Sequence, residues 1–515
     1  MHTTRRELLG GAIAAGAVLG CGWPVPHAAR AADAGVLRVR ATTDLSVLDP
    51  GYMTGGVEID VLRALMPRLV AYKVEGDRVT WAPTEFVESV TASDDGLSVG
   101  FVLKPGLPWT GEFGELTADD VKFSLERLPG SDWGGDWAML EGVEVTGTHA
   151  GTIRLKQAFA PFLMTALAGS SGFILSRKAV EKAGGKFTTE IPATCGPYLM
   201  QWTPKQQMVF TPNPAWPGSK PTFGEVRYMV IDDNKAAELA FEADEVDVGL
   251  ISSQTLARYR KSPPAGSATS VAGALQYMWL GMNTQHEKLK DIRVRQAIQH
   301  AVDVDSILVG AYEDTTERAY GCVCPGLLGK RNTTKIDYDP AKSKALLEEA
   351  GVSGLELELR TLNTQDRLLT AQIIQANLAA IGIKATILPM DSGPFWDMGV
   401  ESKGETWKDL QLWLMRFGSG LDPFEPMQWF VKAQIGIWNW ERWSDDEFEQ
   451  LWSAGLVERD PAKREPIYLR MQEIMEDTGA YLFINHEPEV FAHKAAIRPA
   501  LQPDGQMNFA GFTAA

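Results

Sequence analysis

The chain has 515 residues and a formal net charge of −17, with 45% hydrophobic and 22% charged residues. An acid excess of that size excludes a sequence-independent grip on nucleic acid or anionic membrane, both of which need a basic face. The length gives room for roughly three folding units of about 150 residues each, and the composition is that of a globular chain with ample core.

The first residues read as an address. In TTRRELLGGAIAAGAVLGCG, paired Arg5 and Arg6 precede an apolar run from Leu8 to Leu19 that is too short to span a bilayer. Small residues around Arg30 then form an A-x-A cleavage site. The pattern resembles a twin-arginine signal peptide over residues 1–31. A lipoprotein reading with Cys21 lipidated is disfavoured by the leucine ahead of the glycine in VLGC. No later segment has the length and apolarity of a transmembrane helix, so the mature protein is expected in the periplasm. It keeps Cys195, Cys322 and Cys324, enough for one bridge at most. The spacing of the last two is awkward for mutual pairing, which leaves small half-buried residues or a bridge to Cys195.

In chain order, LRVRATTD (37–44) alternates like a strand and breaks at Asp49-Pro50-Gly51. ELTADDVKFSLERL (115–128) opens a helix with Thr117 as N-cap and Asp120 completing a capping box. Two further helices start on Asp-Pro, over 339–351 and 460–477. There the aspartate caps free amides and proline suits the first turn. Residues 355–388 read strand, helix, strand, with Gly382 closing the helix, so the strands should lie parallel in one sheet. KSPPAGSATS (261–270) is the nearest thing to a linker.

The densest knot among 16 tryptophans is IWNWERWSDDEF (437–448). Ser444 and Glu447 have capping-box spacing, and Trp443 with Phe448 has staple spacing, which makes Trp443 structural. Trp438 and Trp440, two apart, would face one side of an extended segment as either core or ligand wall. Trp133 and Trp137 sit in the loop-like SDWGGDWAML. The strand LQLWLMRF runs through Gly-Ser-Gly to Asp422, a composition common at α/β binding crevices. Phosphate-binding, dinucleotide, zinc-protease and nucleophile-elbow motifs are all absent, and nothing calls for a cofactor or metal. Abundant acids and tryptophans would fit a secreted glycoside hydrolase, but no carboxylate pair stands out.

Taken together, LRVRATTDLSVLDP, LTADDVKFSLERL, CGPYLMQW, GMNTQHEKLKDIRVRQAIQHAVDVDSIL, YDPAKSKALLEEAG and WSDDEFEQLWSAGLVERDPAKREPIYLRMQEIM resemble, in order and spacing, the family 5 extracellular solute-binding proteins. The resemblance implies an α/β, two-lobed periplasmic-binding-protein fold, with a subdomain inserted in lobe one and a ligand cleft between the lobes. Lobe one would comprise 32–273 plus 480–515, with the insertion at about 51–168, and lobe two 274–479. It also implies a monomeric, non-enzymatic carrier that delivers a peptide, oligosaccharide or other small solute to the permease subunits of an ABC importer. Carried over by position, the cleft would draw on Tyr52, Thr54 and Gly55 after L-D-P and on Trp133 and Trp137 in the insertion. Lobe two would supply Trp413, Arg416, Ser419 and Asp422 around the turn, with Trp438 and Trp440 beside it. Ser419 stands where peptide binders of this type place an aspartate for the ligand ammonium, which shifts expectation toward a less charged or sugar-like guest.

Overall fold

The computed structural model describes residues 35–53 and 55–515. The expected signal segment, Cys21 and Thr54 lie outside the described residues. Among these, one eleven-stranded sheet runs through the molecule and two long antiparallel strands carry it, Ser267–Met282 and Tyr481–Lys494. Toward one end the sheet continues through Val248–Ile251, Val36–Ala41 and Glu225–Val230; toward the other, through Leu412–Gly418, Glu356–Leu362 and Lys384–Met390. These ends are two α/β halves, and the long strands are what joins them.

The junction is visible in the register. Pairing between the long strands slips between Val271 and Gly273 and again between Gly273 and Gln276. Such irregularities interrupt the ladder and bend a strand locally. A Cβ on Gly273 would collide with the Pro503 carbonyl, so the close backbone approach here requires glycine. The first crossing lies between Val271 and Gln276. The return crossing does not fall at 480. Tyr481 and Phe483 pack with Trp279, and Leu482 and Ile484 pack with Ile298, all in the second half. Val490 is the first residue paired to Val248–Ile251, so the return lies near Glu489.

Local signals largely became the elements they announced. Ala118–Glu126 is a helix with the Thr117–Asp120 capping box in place. Asp339 and Asp460 cap Pro340–Glu349 and Pro461–Asp477. Glu356–Leu362 and Lys384–Met390 are parallel across the helix Gln365–Ala380. One cap is displaced: Asp445, not Ser444, accepts the Phe448 N–H and starts Asp446–Val457. Trp443 still packs edge-on against Phe448 at 4.9 Å.

The first half and its inserted four-stranded sheet, in the order Val87–Ala92, Ser98–Leu103, Ala150–Leu155, Leu140–Gly147, share one core. The second half has a core on each face of its sheet. Alternation along Leu412–Gly418 sends Leu412 and Leu414 to one face and Trp413, Met415 and Phe417 to the other. Cys195 lies in the first-half core, Cys322 and Cys324 lie in the second, and all three are free thiols.

Candidate functional site: an aromatic wall between the halves

Glu356–Leu362, Lys384–Met390 and Leu412–Gly418 are mutually parallel, so their carboxyl ends emerge along one edge. In α/β sheets that edge is where ligands bind. Phe417 ends the last strand there, and three indoles gather on it. Trp396 stacks parallel at 6.3 Å, while Trp438 and Trp429 meet it edge-on at 5.8 and 6.1 Å. All four rings are only half-buried. Tyr72, Val79 and Trp81 of the first half pack against the same apolar cluster. A cavity of about 640 Å³ lies between the halves beside the junction, lined by Val79 and Gly273 on one side and by Leu275, Leu421 and His486 on the other. Burial holds the His486 ring neutral, pushing its pKa down to about 3.

Beyond the wall the halves touch directly. The Val79 N–H donates to the Gly326 carbonyl at 2.9 Å and the Ala160 N–H to the Leu456 carbonyl at 2.8 Å. Phe159 meets Phe424 edge-on at 5.5 Å, and Arg459 donates to the carbonyls of Ser93 and Asp94.

Next to Phe424, the Glu425 carboxylate accepts the Gly420 N–H, and its pKa is pushed up to about 8 by burial and by the facing charges of Asp136 and Asp422. Asp136, from the first half, is pushed up to about 6 by burial. Neither carboxylate has an ion-pair partner among the described residues, whereas Asp422 is bound bidentately by Arg464 at 2.7 and 2.8 Å. The charge of Asp136, from the first half, thus acts on Glu425 in the second.

The expected site residues divide. Trp438 is on the wall. Trp440 is not: residues 436–441 form turns rather than a strand, which turns Trp440 into the core against Trp413 at 6.1 Å. Trp413 is itself fully buried and underlies the wall instead of lining it. Arg416 alternates onto the opposite face from Phe417 and binds Glu487 at 2.5 Å. Asp422 is consumed by Arg464 and by the Phe424 N–H. Trp137 is fully buried, its indole N–H donating to the Ser171 hydroxyl at 2.8 Å. Trp133 donates to the Met53 carbonyl at 3.0 Å. Tyr52 lies under the Lys186 ammonium at 4.5 Å, and Gly55 precedes the helix Gly56–Leu65. Ser419 ties the turn to the junction, its N–H donating to the Leu275 carbonyl at 2.6 Å.

Sequence reasoning passed over Trp396, Phe417, Trp429, Asp136 and Glu425. Strand alternation from Trp413 could have found Phe417. The others are assembled by tertiary contacts that leave no local pattern.

Among the described residues no helix is long and apolar enough to cross a membrane, and no group of three or more His, Cys, Asp and Glu is placed to hold a metal.

Comparison with known proteins bears on the family and the fold. The family model described as bacterial extracellular solute-binding proteins, family 5 Middle, matches residues 84–436. The probable D,D-dipeptide-binding periplasmic protein DdpA of Escherichia coli K12 is 26% identical over 481 residues, covering 91% of each chain. The dipeptide-binding protein of the same organism is 27% identical, covering 85% of this chain and 86% of its own. Among solved structures, HbpA2 from Haemophilus parasuis superposes with a TM-score of 0.81 at 23% identity, over 93% of this chain and 100% of that one. DppA from Helicobacter pylori in complex with the peptide STSA gives 0.71 at 23% identity, over 93% and 98%. The two-lobed fold and a family match spanning more than half of the sequence lead to one conclusion: the chain belongs to the family 5 bacterial extracellular solute-binding proteins.

Proposed function

We propose that this protein captures a short peptide or peptide-like solute carrying a free amine in the gap between its halves, and delivers it unchanged to the permease of an ABC importer from the periplasm, after export by the twin-arginine route, as a monomer. The observation that carries this reading is the half-buried wall of Trp396, Phe417, Trp429 and Trp438, flanked by the uncompensated carboxylates of Asp136 and Glu425. Relatives named for dipeptide binding support the ligand class.

The rings supply apolar contact without regard to sequence. The carboxylates supply the charge-assisted partner for an ammonium that Ser419 cannot offer. In the empty protein Glu425 keeps its proton up to about pH 8, and a bound ammonium displaces that proton and pairs with the carboxylate between the halves, so an amine ligand has differential affinity for the closed state. Micromolar binding corresponds to about −8 kcal/mol, within reach of a few ring contacts and one buried ion pair. The same wall would stack sugar rings, which keeps an oligosaccharide guest as a second reading.

The test is calorimetric titration of the mature protein with di- and tripeptides, with their N-acetylated counterparts, and with oligosaccharides. Binding of free-amine peptides that weakens at least tenfold on acetylation is expected. Indifference to acetylation would remove the carboxylate anchor, and binding of oligosaccharides alone would replace the peptide reading.

A further inference from the structure

The cavity beside the junction is built from residues outside the ligand wall. None of Trp396, Phe417, Trp429, Trp438, Asp136 and Glu425 lines it. It is bounded instead by Val74 and Asp77 at the tip of a first-half hairpin, by Val271 to Leu275 of the junction, and by His486 and Pro488 of the return strand. A gap in the sheet makes room for it. On that edge of the return strand, pairing with Glu317–Arg318 ends at His486, and pairing with Val248–Ile251 begins only at Val490. Its volume of about 640 Å³ is that of a small-molecule site.

Two features of the lining point to an occupant. Val271 and Val74 are 63% and 59% exposed, the two most exposed large apolar side chains among the described residues, and both line this one cavity. Leu275, Leu501 and Pro503 extend the apolar surface. Isolated exposed apolar residues are ordinary, but ones gathered around a cavity mark a binding site. The charge is one-sided as well. Glu317 is paired with Lys330, and Arg260 donates to the Asp314 main-chain carbonyl at 2.8 Å. The side chains of Asp77 and Asp314 have no ion-pair partner among the described residues, and burial keeps His486 neutral. Two open carboxylates therefore stand against one guanidinium.

We propose that the junction cavity is a second binding site, for an organic cation with an apolar body, an alkylammonium in class. The valines, Leu275 and Pro503 cover the alkyl part, and Asp77 and Asp314 supply the negative potential for the charged head. A cation with an apolar stem gains from both at once. The two carboxylates are exposed, so salt screens the attraction.

The test is calorimetric titration of the mature protein with hexyltrimethylammonium, with hexanol and hexanoate as its uncharged and anionic counterparts. One equivalent of the cation is expected to bind, at least tenfold tighter than hexanol and tighter still than hexanoate, with affinity falling several-fold from low to high salt. Asp77→Asn combined with Asp314→Asn should bring the cation down to the hexanol level. Both positions are exposed, and asparagine accepts the positive φ of Asp314, so the fold is kept. Val271→Lys, at a position 63% exposed, should abolish cation binding. No binding of the cation at millimolar concentration, or equal affinity for hexanol and the cation, would overturn the proposal. So would binding that survives Val271→Lys and the paired asparagines but is lost in Trp438→Ala, which would place the cation on the aromatic wall.

Discussion

Trp438 and Trp440 show how two neighbouring indoles acquire different jobs. Trp438 is half-buried with edge-on contacts to Trp396, Phe417 and Trp429, whereas Trp440 is 2% exposed and packs against Trp413 and Phe395. Trp438→Ala should therefore weaken ligand binding about tenfold or more with little change in melting temperature. Trp440→Ala should cost about 3–5 kcal/mol of stability in a denaturant titration, as truncation of a core aromatic does. Glu425 makes a pH prediction. In the empty protein its carboxyl holds a proton up to about pH 8 and Asp136 holds one up to about pH 6. An ammonium must displace those protons, so affinity for amine ligands falls as pH drops below about 8 and falls further below about 6. Glu425→Gln should flatten the upper part of that profile in calorimetry at pH 6 to 9. Glu441 acts on folding instead. It is fully buried beneath the Trp279 indole N–H at 2.8 Å, and its pKa is pushed up to about 8 by burial. Its native pKa exceeds the unfolded value, so its contribution is fully present at low pH and is lost as pH rises from the ordinary carboxylate range toward 8, by up to about 1.4 kcal/mol per unit. Glu441→Gln should remove that slope from melting temperatures taken between pH 5 and 8.

At the scale of elements, what the sequence made legible was what adjacent residues decide. Thr117 with Asp120, Asp339 with Pro340, and Asp460 with Pro461 mark helix starts because a cap needs only its own first turn. The β-α-β unit over 355–388 was readable from periodicity for the same reason. The family resemblance points to Arg416, but strict alternation from Trp413 puts Phe417, not Arg416, on the face of the wall. Spacing of two puts Trp438 and Trp440 on one surface only in an extended segment, and the turns over 436–441 that separate them carry no proline or paired glycines to signal them. Asp422 looked like a free carboxylate because its partner, Arg464, lies 42 residues away. That buried pair fixes the turn beside the wall, and Asp422→Ala, which strands the guanidinium, should cost about 3–5 kcal/mol in chemical denaturation.

At the scale of the molecule, contacts beyond the long strands also join the two halves. Arg459 reaches from the second half to the carbonyls of Ser93 and Asp94 in the insertion, and Arg78 pairs with Glu465 at 2.9 Å. Contacts of this kind bias the population of the closed form, and apparent affinity scales with that population. Arg459→Ala should raise the apparent Kd several-fold for every ligand alike, leaving their ranking intact.

The central claim is that the halves close on an amine-bearing guest and that the carboxylates recognise the amine. Small-angle scattering of the mature protein tests it most directly, by comparing a saturating mixture of free-amine di- and tripeptides with the same mixture acetylated at the amine. The account predicts a smaller radius of gyration with the free-amine mixture and the empty-protein value with the acetylated one. An unchanged radius with both mixtures at millimolar concentration, or equal contraction with both, would contradict it.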